Sequence, residues 1–299
     1  MILSPDLEGT VAFREGHTWF RVTGDLNSAL TPLVIVHGGP GVPHDYLLSL
    51  TALSKSGRAV IHYDQFGCGS SSHRPDRGRD FWTVQLFLEE MDNLLEYLGI
   101  SGAYHLLGHS WGGMLGAEHA IGQPEGLRAL VLSNSPASMH LWVNEAMRQR
   151  AALSAPVRDA LDFHEINGTL NAPEYLAATQ AVYDQHVCRV LPNPPELLRS
   201  MERMNEDPTV YFTMNGPNEF FCTGTLRDWS VVDRVHAISA PTLLLSGRFD
   251  EATPATVQPF FEHIGDVRWR VFEESSHMPF VEEPELYLKV VGEFLAQND

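Results

Sequence analysis

A serine stands between two glycines directly after a short apolar run. Residues 108–112 read Gly-His-Ser-Trp-Gly and match the pattern G-x-S-x-G, residues 104–108 form the apolar run, and small and apolar residues follow at 114–122. This order predicts a strand, a tight turn and a buried helix, with the hydroxyl of Ser110 exposed above a sheet. The pattern alone is common, but its position between a strand and a helix indicates a nucleophilic serine.

A serine hydroxyl is a weak nucleophile at neutral pH and needs a histidine base that a carboxylate orients. When a G-x-S-x-G serine lies between a strand and a helix, the acid and then the histidine are expected to follow it in the sequence. Asp250 comes after an apolar strand-like run and His277 after the last such run, where the carboxyl ends of strands bring side chains to one crevice. Asp228 and Asp233 are rival acids, but both precede the relevant strand. We therefore expect Ser110, Asp250 and His277 to form a catalytic triad.

A second glycine-rich segment follows the first buried run. Residues 37–41 read His-Gly-Gly-Pro-Gly. A backbone this rich in glycine can direct an N–H group at negative charge that develops during a reaction, and the N–H of Trp111, directly after the serine, is the expected partner. The two segments together predict an oxyanion hole.

Apolar runs that end in polar turns recur along the chain, and helix-like stretches alternate with them. This alternation predicts an α/β fold in which a mostly parallel sheet has helices on both faces. An amphipathic helix that begins at a proline is predicted at 284–295. The strand-like runs are residues 33–37, 59–63, 104–108, 127–135, 240–250 and 267–272.

The strand signals fade between about residues 136 and 225. Helix-like stretches at 145–154 and 173–187 take their place, and the strand alternation returns afterwards. We therefore expect residues 136–225 to be a helical cap, inserted into a hydrolase-type core that consists of residues 1–135 and 226–299.

The composition is that of an ordinary globular protein. Of 299 residues, 43% are hydrophobic and 19% are charged, which excludes a disordered, collagen-like or coiled-coil chain. A net charge of −18 disfavours binding to nucleic acid or anionic lipid, so neither is expected as a partner. Three widely spaced cysteines fit reduced thiols, and neither a leader-like nor a membrane-length apolar segment is evident, so we predict a cytoplasmic protein. The oligomeric state is left open.

The sequence lacks the common motifs for binding nucleotides or a catalytic zinc ion. The phosphate-binding pattern G-x-x-x-x-G-K-[ST] does not occur, and His164-Glu165 lacks the second histidine of a zinc-binding H-E-x-x-H motif. We therefore expect neither a cofactor nor a metal ion.

Five strings spread over nearly the whole chain resemble the proline iminopeptidase family of α/β-hydrolase serine peptidases. The combination of HGGPG with a tryptophan directly after the serine is considerably more specific than G-x-S-x-G. The resemblance implies the α/β-hydrolase fold. The strings are HGGPG at 37–41, DQFGCGSS at 64–71, GHSWGG at 108–113, NGPNEF at 215–220 and GRFDEATP at 247–254.

The resemblance also implies a role for each residue that matches a family motif. Ser110 corresponds to the nucleophile, Asp250 to the orienting acid and His277 to the base. The family's oxyanion donors correspond to Gly39 and Trp111.

Phe66 distinguishes the second string, because many family members have arginine there. The version with phenylalanine, together with NGPNEF at 215–220, resembles the tricorn-interacting aminopeptidase subgroup, which accepts residues besides proline. In that subgroup the glutamates that correspond to Glu219 and Glu251 hold the free amino terminus of the substrate. A protonated amine in a partly dry pocket needs carboxylate partners, since an unpaired buried charge costs several kcal/mol.

These features predict a serine aminopeptidase that releases an N-terminal proline, or another small or apolar residue, from short peptides or amino-acid amides through an acyl-enzyme. Two alternatives remain open. An esterase, lactonase or amidase could use the same triad, because fold does not set the substrate. A catalytically silent protein of the same fold could instead bind a ligand or partner in the crevice.

Overall fold

A sheet of eight strands forms the centre of the computed structural model, which describes residues 2–299. The strands are β1 (Leu7–Phe13), β2 (Gly16–Thr23), β3 (Leu33–Val36), β4 (Val60–Asp64), β5 (Tyr104–His109), β6 (Leu127–Ser133), β7 (Thr242–Gly247) and β8 (Val267–Phe272). In space they lie in the order β1-β2-β4-β3-β5-β6-β7-β8. β2 pairs antiparallel with β1 and with β4, and the other pairs are parallel. The sheet is therefore mostly parallel, as predicted.

Helices accompany the sheet on both faces. They are α1 (Val84–Tyr97), α2 (Trp111–Ile121), α3 (Met139–Ala152), α4 (Ala155–Asn167), α5 (Pro173–His186), α6 (Pro195–Glu206), α7 (Thr209–Met214), α8 (Pro254–His263), α9 (Pro279–Glu282) and α10 (Pro284–Ala296). Residues of α1, α2 and α8 belong to one buried apolar cluster, whereas α10 and a 3-10 helix at His44–Ser56 contribute to another. The helix predicted at 284–295 is α10.

The central parallel strands are buried because these two clusters cover opposite faces of the sheet. Every residue of β3, β5 and β7 is buried. Successive side chains of β3 alternate between the faces, so that Val34 and Val36 join one cluster while Leu33 and Ile35 join the other. Burial on two sides explains why these strands have an unbroken apolar sequence.

Helices α3 to α7 lie between β6 and β7, within the segment 136–225 that the sequence assigns to a cap. The chain enters α3 at Ser138, whose hydroxyl accepts a hydrogen bond from the N–H of His140 and so caps the helix. Helices α4 and α5 share a small apolar cluster formed by Leu161, Tyr175, Ala178 and Val182. The division into a core and a cap at these boundaries remains a prediction.

The hairpin of β1 and β2 is the part of the sheet that the sequence analysis did not identify. Charged residues interrupt the hydrophobic pattern here, because an edge hairpin buries mainly one face. β1 is followed by Arg14, whose φ of 50° places it in the left-handed region that tight turns use. The six predicted runs overlap β3 to β8.

A carboxyl group is buried beneath the loop that follows β4. Glu90 of α1 accepts hydrogen bonds from the hydroxyl of Thr18 and, at 2.8 Å, from the N–H of Phe66, so it ties the helix to β2 and to this loop. Burial raises the pKa of the Glu90 carboxyl from an ordinary 4.5 to about 8, because the charged form loses its hydration. The loop is therefore anchored by a carboxyl group that stays protonated well above the usual pH.

Replacing Glu90 with glutamine should reduce the pH dependence of stability. Below pH 4.5 the carboxyl group is protonated in both the folded and the unfolded chain; as the pH rises toward about 8 only the unfolded chain releases the proton, so the wild-type protein loses stability. Glutamine keeps the shape without titrating. Urea unfolding across this pH range should show a smaller loss of unfolding free energy in Glu90→Gln than in the wild type.

The matched control for this experiment is Glu89→Gln, at an exposed position of the same helix. It should keep the wild-type pH dependence. Identical slopes in the wild type and both variants would contradict the assignment of the titration to Glu90.

Candidate active site

The serine of the G-x-S-x-G pattern lies at a strained turn between β5 and α2. Ser110 has φ 55° and ψ −123°, a conformation that residues other than glycine rarely adopt. Glycines on both sides make the turn possible. A Cβ on Gly108 would lie 2.1 Å from the carbonyl oxygen of Gly112, and a Cβ on Gly112 would lie 2.1 Å from that of Val36. The turn places Ser110 at the carboxyl edge of the sheet.

Asp250 and His277 form a hydrogen-bonded pair in the loops that follow β7 and β8. Nδ1 of His277 lies 2.7 Å from Oδ1 of Asp250, and both side chains are buried. Asp250 also accepts hydrogen bonds from Nδ2 of Asn134 at 2.5 Å and from the N–H of Ala252 at 2.8 Å. A carboxylate held in this way fixes the orientation of the ring. Both rival acids considered from the sequence are exposed at the surface.

Ser110 and His277 line the same cavity, which has a volume of about 280 Å³. The cavity lies between the carboxyl edge of the sheet and helices α5 and α6, which contribute residues such as Tyr183 and Leu197. The hydrogen bonds of residues 2–299 do not include one between the serine hydroxyl and the histidine ring. Such catalytic hydrogen bonds are often long in a free enzyme and tighten when substrate binds. The structure thus brings Ser110 and His277 to one cavity, and Asp250 is hydrogen-bonded to the histidine ring.

The glycine-rich loop after β3 directs one N–H group toward this cavity. The carbonyl oxygen of Gly38 accepts hydrogen bonds from Nδ1 of His37 at 3.0 Å and from the N–H of Val42 at 3.3 Å. Because the C=O and the following N–H of a trans peptide point in opposite directions, the N–H of Gly39 is turned away from these partners. Gly39 has φ 111°, which favours glycine, and lines the cavity beside Ser110.

Trp111 is the second predicted donor. It is the first residue of α2, where N–H groups have no partner within the helix and the helix dipole is positive. In the hydrogen bonds described for residues 2–299, neither the N–H of Gly39 nor that of Trp111 has an acceptor. Gly39, Ser110 and Trp111 line one recess. This arrangement is suited to hold an oxyanion.

A buried glutamine joins the two donor segments, and the sequence analysis did not identify it. The side chain of Gln65 accepts a hydrogen bond from the indole N–H of Trp111 at 2.8 Å and donates one to the carbonyl oxygen of His37 at 3.0 Å. Its backbone N–H donates to Nε2 of His37 at 2.9 Å, so Nδ1 carries the proton that Gly38 accepts. The string at 64–71 contains Gln65, but no pattern in it indicates these contacts.

Two further carboxyl groups, those of Glu219 and Glu251, line the cavity. Glu219 accepts a hydrogen bond from the hydroxyl of Tyr211 at 2.6 Å, and Glu251 lies 3.6 Å from Nε2 of His277. Burial raises the pKa of Glu219; burial, together with the charges of Glu219 and Asp250, raises the pKa of Glu251 well above its usual range. Within residues 2–299, no lysine or arginine nitrogen lies within 4.0 Å of either carboxyl group. The pair is therefore suited to a positively charged ligand.

A small apolar recess opens beside Ser110. Its volume is about 10 Å³, against about 280 Å³ for the main cavity, and Glu219 lines both. Its apolar lining consists of Trp111, Met114, Pro136, Met139, Trp142 and Leu226. Methionine side chains adapt their shape readily, so the recess can widen to accept a small apolar group. Apart from Trp111, no sequence pattern marks these residues, because they come from separate elements.

Within residues 2–299, no group of three His, Cys, Asp or Glu side chains is placed to hold a metal ion. In the same part of the chain, no helix combines the length and apolar character needed to cross a bilayer. The cysteines at 68, 188 and 222 are free thiols.

Comparisons with known proteins agree with this fold. The family model described as "alpha/beta hydrolase fold" matches residues 31–284. The proline iminopeptidase of Clostridium botulinum is 36% identical over 294 residues, which cover 98% of this chain and 99% of that protein. The crystal structure of VinJ matches with a TM-score of 0.98 and 53% identity, covering 99% of this chain and 100% of that one. The crystal structure of the Mycobacterium smegmatis proline iminopeptidase matches with a TM-score of 0.92 and 51% identity, covering 98% of both chains.

The fold and the site define an α/β hydrolase, in agreement with the family model. Within that class the chain belongs to the proline iminopeptidase family, to which it is similar over nearly its whole length. The family and the fold class predicted from the sequence motifs are thereby confirmed.

The close contact at the serine turn leads to a prediction about stability. Gly112→Ala should destabilise the protein by about 1–3 kcal/mol, because the new methyl group collides with the backbone of β3. Gly116→Ala in the same helix is the matched control, since a Cβ there would lie 3.4 Å from the side chain of Leu130. Urea unfolding should show a loss for Gly112→Ala only. An equal effect of both substitutions would mean that the contact with Val36 is unimportant.

Proposed function

We propose that this member of the proline iminopeptidase family releases the first residue of short peptides or amino-acid amides that have a free N-terminus. The class of enzyme, a serine aminopeptidase, is confirmed by the family to which the chain belongs. In the proposal, Ser110 is the nucleophile, His277 the base and Asp250 its orienting acid, and Gly39 and Trp111 donate to the oxyanion. The observation that carries it is a pair of buried carboxyl groups, without a lysine or arginine partner, beside the serine.

The reaction begins when the hydroxyl oxygen of Ser110 attacks the carbonyl carbon of the first residue and Nε2 of His277 takes the hydroxyl proton. The negative charge on the carbonyl oxygen is stabilised by the N–H groups of Gly39 and Trp111. When the tetrahedral intermediate collapses, the C–N bond breaks and His277 gives its proton to the leaving amine. Water then adds to the acyl-enzyme by the same steps and releases the amino acid. Asp250 keeps the ring oriented throughout.

Glu219 and Glu251 bind the protonated amine of the substrate in this proposal. The amine of the first residue is attached to the carbon next to the carbonyl that Ser110 attacks, so its partners must lie close to the serine and the histidine. Both carboxyl groups meet this requirement, since they line the cavity that contains Ser110 and His277. A substrate with further residues before the cleaved bond has no charge at this position. The acid pair therefore restricts cleavage to the first bond of the chain.

The side chain of the first residue is assigned to the apolar recess beside Ser110. The recess is small, which favours proline or another small apolar side chain over a large one. The names of the relatives, proline iminopeptidases, support proline as one such residue. Leucyl and larger residues require Met114 or Met139 to move further than a small first residue does, which adds a cost to their binding.

Replacing the nucleophile should abolish turnover. Ser110→Ala is expected to lower kcat by a factor on the order of 10⁶, as loss of the nucleophile does in other serine hydrolases. The variant should also lose labelling by a fluorophosphonate probe. The rates are measured on prolyl, alanyl and leucyl arylamides and, in parallel, on simple p-nitrophenyl esters. Ser56→Ala, at an exposed serine, should behave as the wild type.

The substrate panel also separates the aminopeptidase from the other hydrolases. The proposal expects arylamides with a free amine to be cleaved well, and prolyl and alanyl substrates to be preferred to leucyl ones. Efficient cleavage of the esters with negligible cleavage of every arylamide would contradict it. Retained turnover in Ser110→Ala would reject the assigned nucleophile.

The acid pair should be responsible for recognition of the amine. Glu219→Gln and Glu251→Gln are each expected to raise KM for alanyl arylamide by about 10-fold or more, because a hydrogen bond between two charged groups is lost. The preference for this substrate over its N-acetyl analogue should shrink by the same factor. Both values come from steady-state kinetics at constant ionic strength.

Glu145→Gln is the matched control for the acid pair. Glu145 also belongs to the cap, but it has a cationic partner, Arg148, and does not line the cavity. The control should keep the wild-type preference. If Glu219→Gln and Glu251→Gln also keep it, the amine is bound elsewhere.

A further inference from the structure

A continuous chain of hydrogen bonds runs past the active site and has no part in the proposed reaction. The N–H of Gly38 donates to the hydroxyl oxygen of Tyr46 at 2.8 Å. The same hydroxyl lies 2.8 Å from Nδ1 of His109. Nε2 of His109 in turn lies 2.9 Å from the carbonyl oxygen of His277. The chain therefore joins the loop of one oxyanion donor to the loop of the base.

The direction of every hydrogen bond in this chain is fixed by chemistry. The carbonyl oxygen of His277 can only accept, so Nε2 of His109 must carry a proton. In a neutral imidazole Nδ1 is then an acceptor, and Tyr46 must donate its hydroxyl proton to it. The hydroxyl oxygen of Tyr46 remains free to accept the N–H of Gly38. All the groups are thus satisfied by one arrangement of protons.

The surroundings keep the ring of His109 neutral and in place. His109 is 2% exposed and Tyr46 is 3% exposed. Burial, with a smaller effect of the neighbouring His277, lowers the pKa of His109 well below its usual range. The ring packs edge-on against His277, with centroids 4.6 Å apart, and against Phe280 at 5.1 Å. Water therefore has little access to replace these hydrogen bonds.

We propose that Tyr46 and His109 are positioning residues. They keep the oxyanion donor Gly39 and the base His277 at fixed positions on either side of Ser110. One end of the chain fixes Gly38, the residue that precedes the donor. The other end fixes the backbone of His277 itself, and His109 directly precedes the nucleophile. The inference rests on the proposed triad and oxyanion hole.

Catalysis should be far more sensitive to this chain than substrate binding is. A displacement of about 1 Å between reacting groups can lower a rate by about 100-fold. The proposed binding groups for the amine and the first side chain, in contrast, are the acid pair and the apolar recess. Tyr46 and His109 also line the main cavity, but the hydroxyl of Tyr46 bonds Gly38 and His109, and Glu219 receives its hydrogen bond from Tyr211.

Tyr46→Phe tests the proposal by removing a single oxygen atom. We expect kcat for a prolyl arylamide to fall by about 10- to 100-fold while KM changes by less than about twofold. Tyr104→Phe is the matched control, because Tyr104 is buried and its hydroxyl lies 2.6 Å from Nε2 of His119, in a pair that does not line the cavity. The control should keep the wild-type kcat.

A pair of inhibitors separates positioning from general loosening of the site. A prolyl boronic acid, which forms a tetrahedral adduct with the serine, should bind Tyr46→Phe more weakly by the same factor as kcat falls. Free proline should bind as it does to the wild type. Equal weakening of both inhibitors, or equal losses of kcat in Tyr46→Phe and Tyr104→Phe, would overturn the proposal.

A double-mutant cycle checks that the two residues act as one chain. His109→Gln should also lower kcat, and the variant that combines it with Tyr46→Phe should lose less than the product of the two single losses, because the second change acts on a chain already broken. Losses that multiply would overturn the proposal. If Tyr46→Phe does not fold, His109→Gln and the two inhibitors provide the same test.

The experiment remains decisive even if the proposed substrate is wrong. A wild-type protein that cleaves no aminoacyl arylamide would refute the proposed function alone. The positioning role would then be measured as the rate at which a fluorophosphonate labels Ser110. This rate should fall in Tyr46→Phe and stay unchanged in Tyr104→Phe, and equal rates in the two variants would overturn the positioning role.

Discussion

The active site depends on one close contact, between the start of α2 and the end of β3. The carbonyl oxygen of Val36 occupies the space that a side chain at Gly112 would need, so the helix begins directly against the strand. This contact fixes Ser110 in a backbone conformation that costs about 1–3 kcal/mol. It also fixes the distance between Trp111 and the loop that follows β3, which carries Gly39. The positions of the proposed nucleophile and oxyanion donors are thus set by packing in the core, and the buried apolar residues of α2 offset the strain.

The carboxyl groups at the cavity differ in the partners that they have. Asp250 is fully paired, since it bonds His277, Asn134 and the backbone. Glu219 and Glu251 are buried without a lysine or arginine partner, and burial raises the pKa of both carboxyl groups because their charged forms lose hydration. An ammonium group supplies the missing charge. In the proposed function, the affinity for substrate is therefore conditional on a free amine, which a neutral N-acetyl group cannot replace.

The sequence predicted the features that follow from chain order. Ser110, Asp250 and His277 each come after an apolar run, and the ends of parallel strands meet at one edge, so their convergence could be inferred. Gln65 and Tyr46 could not be found in this way, because their roles arise from contacts with remote segments. The partner of Gln65 is 46 positions away, and the bond from His109 spans 168 positions. The two glutamates were found only through the family resemblance, since an isolated glutamate normally marks a solvated surface.

The proposed amine site is divided between the predicted core and the predicted cap. Glu251 follows the triad acid in the core, whereas Glu219 belongs to the segment 136–225 and is held there by the hydroxyl of Tyr211. Trp142 of α3 also donates to the backbone carbonyl oxygen of Glu219, at 2.6 Å. A change in the helices between β6 and β7 can therefore remove recognition of the amine without disturbing the triad. This arrangement explains why the fold alone indicates a hydrolase, while the choice of an aminopeptidase depends on residues outside the central sheet.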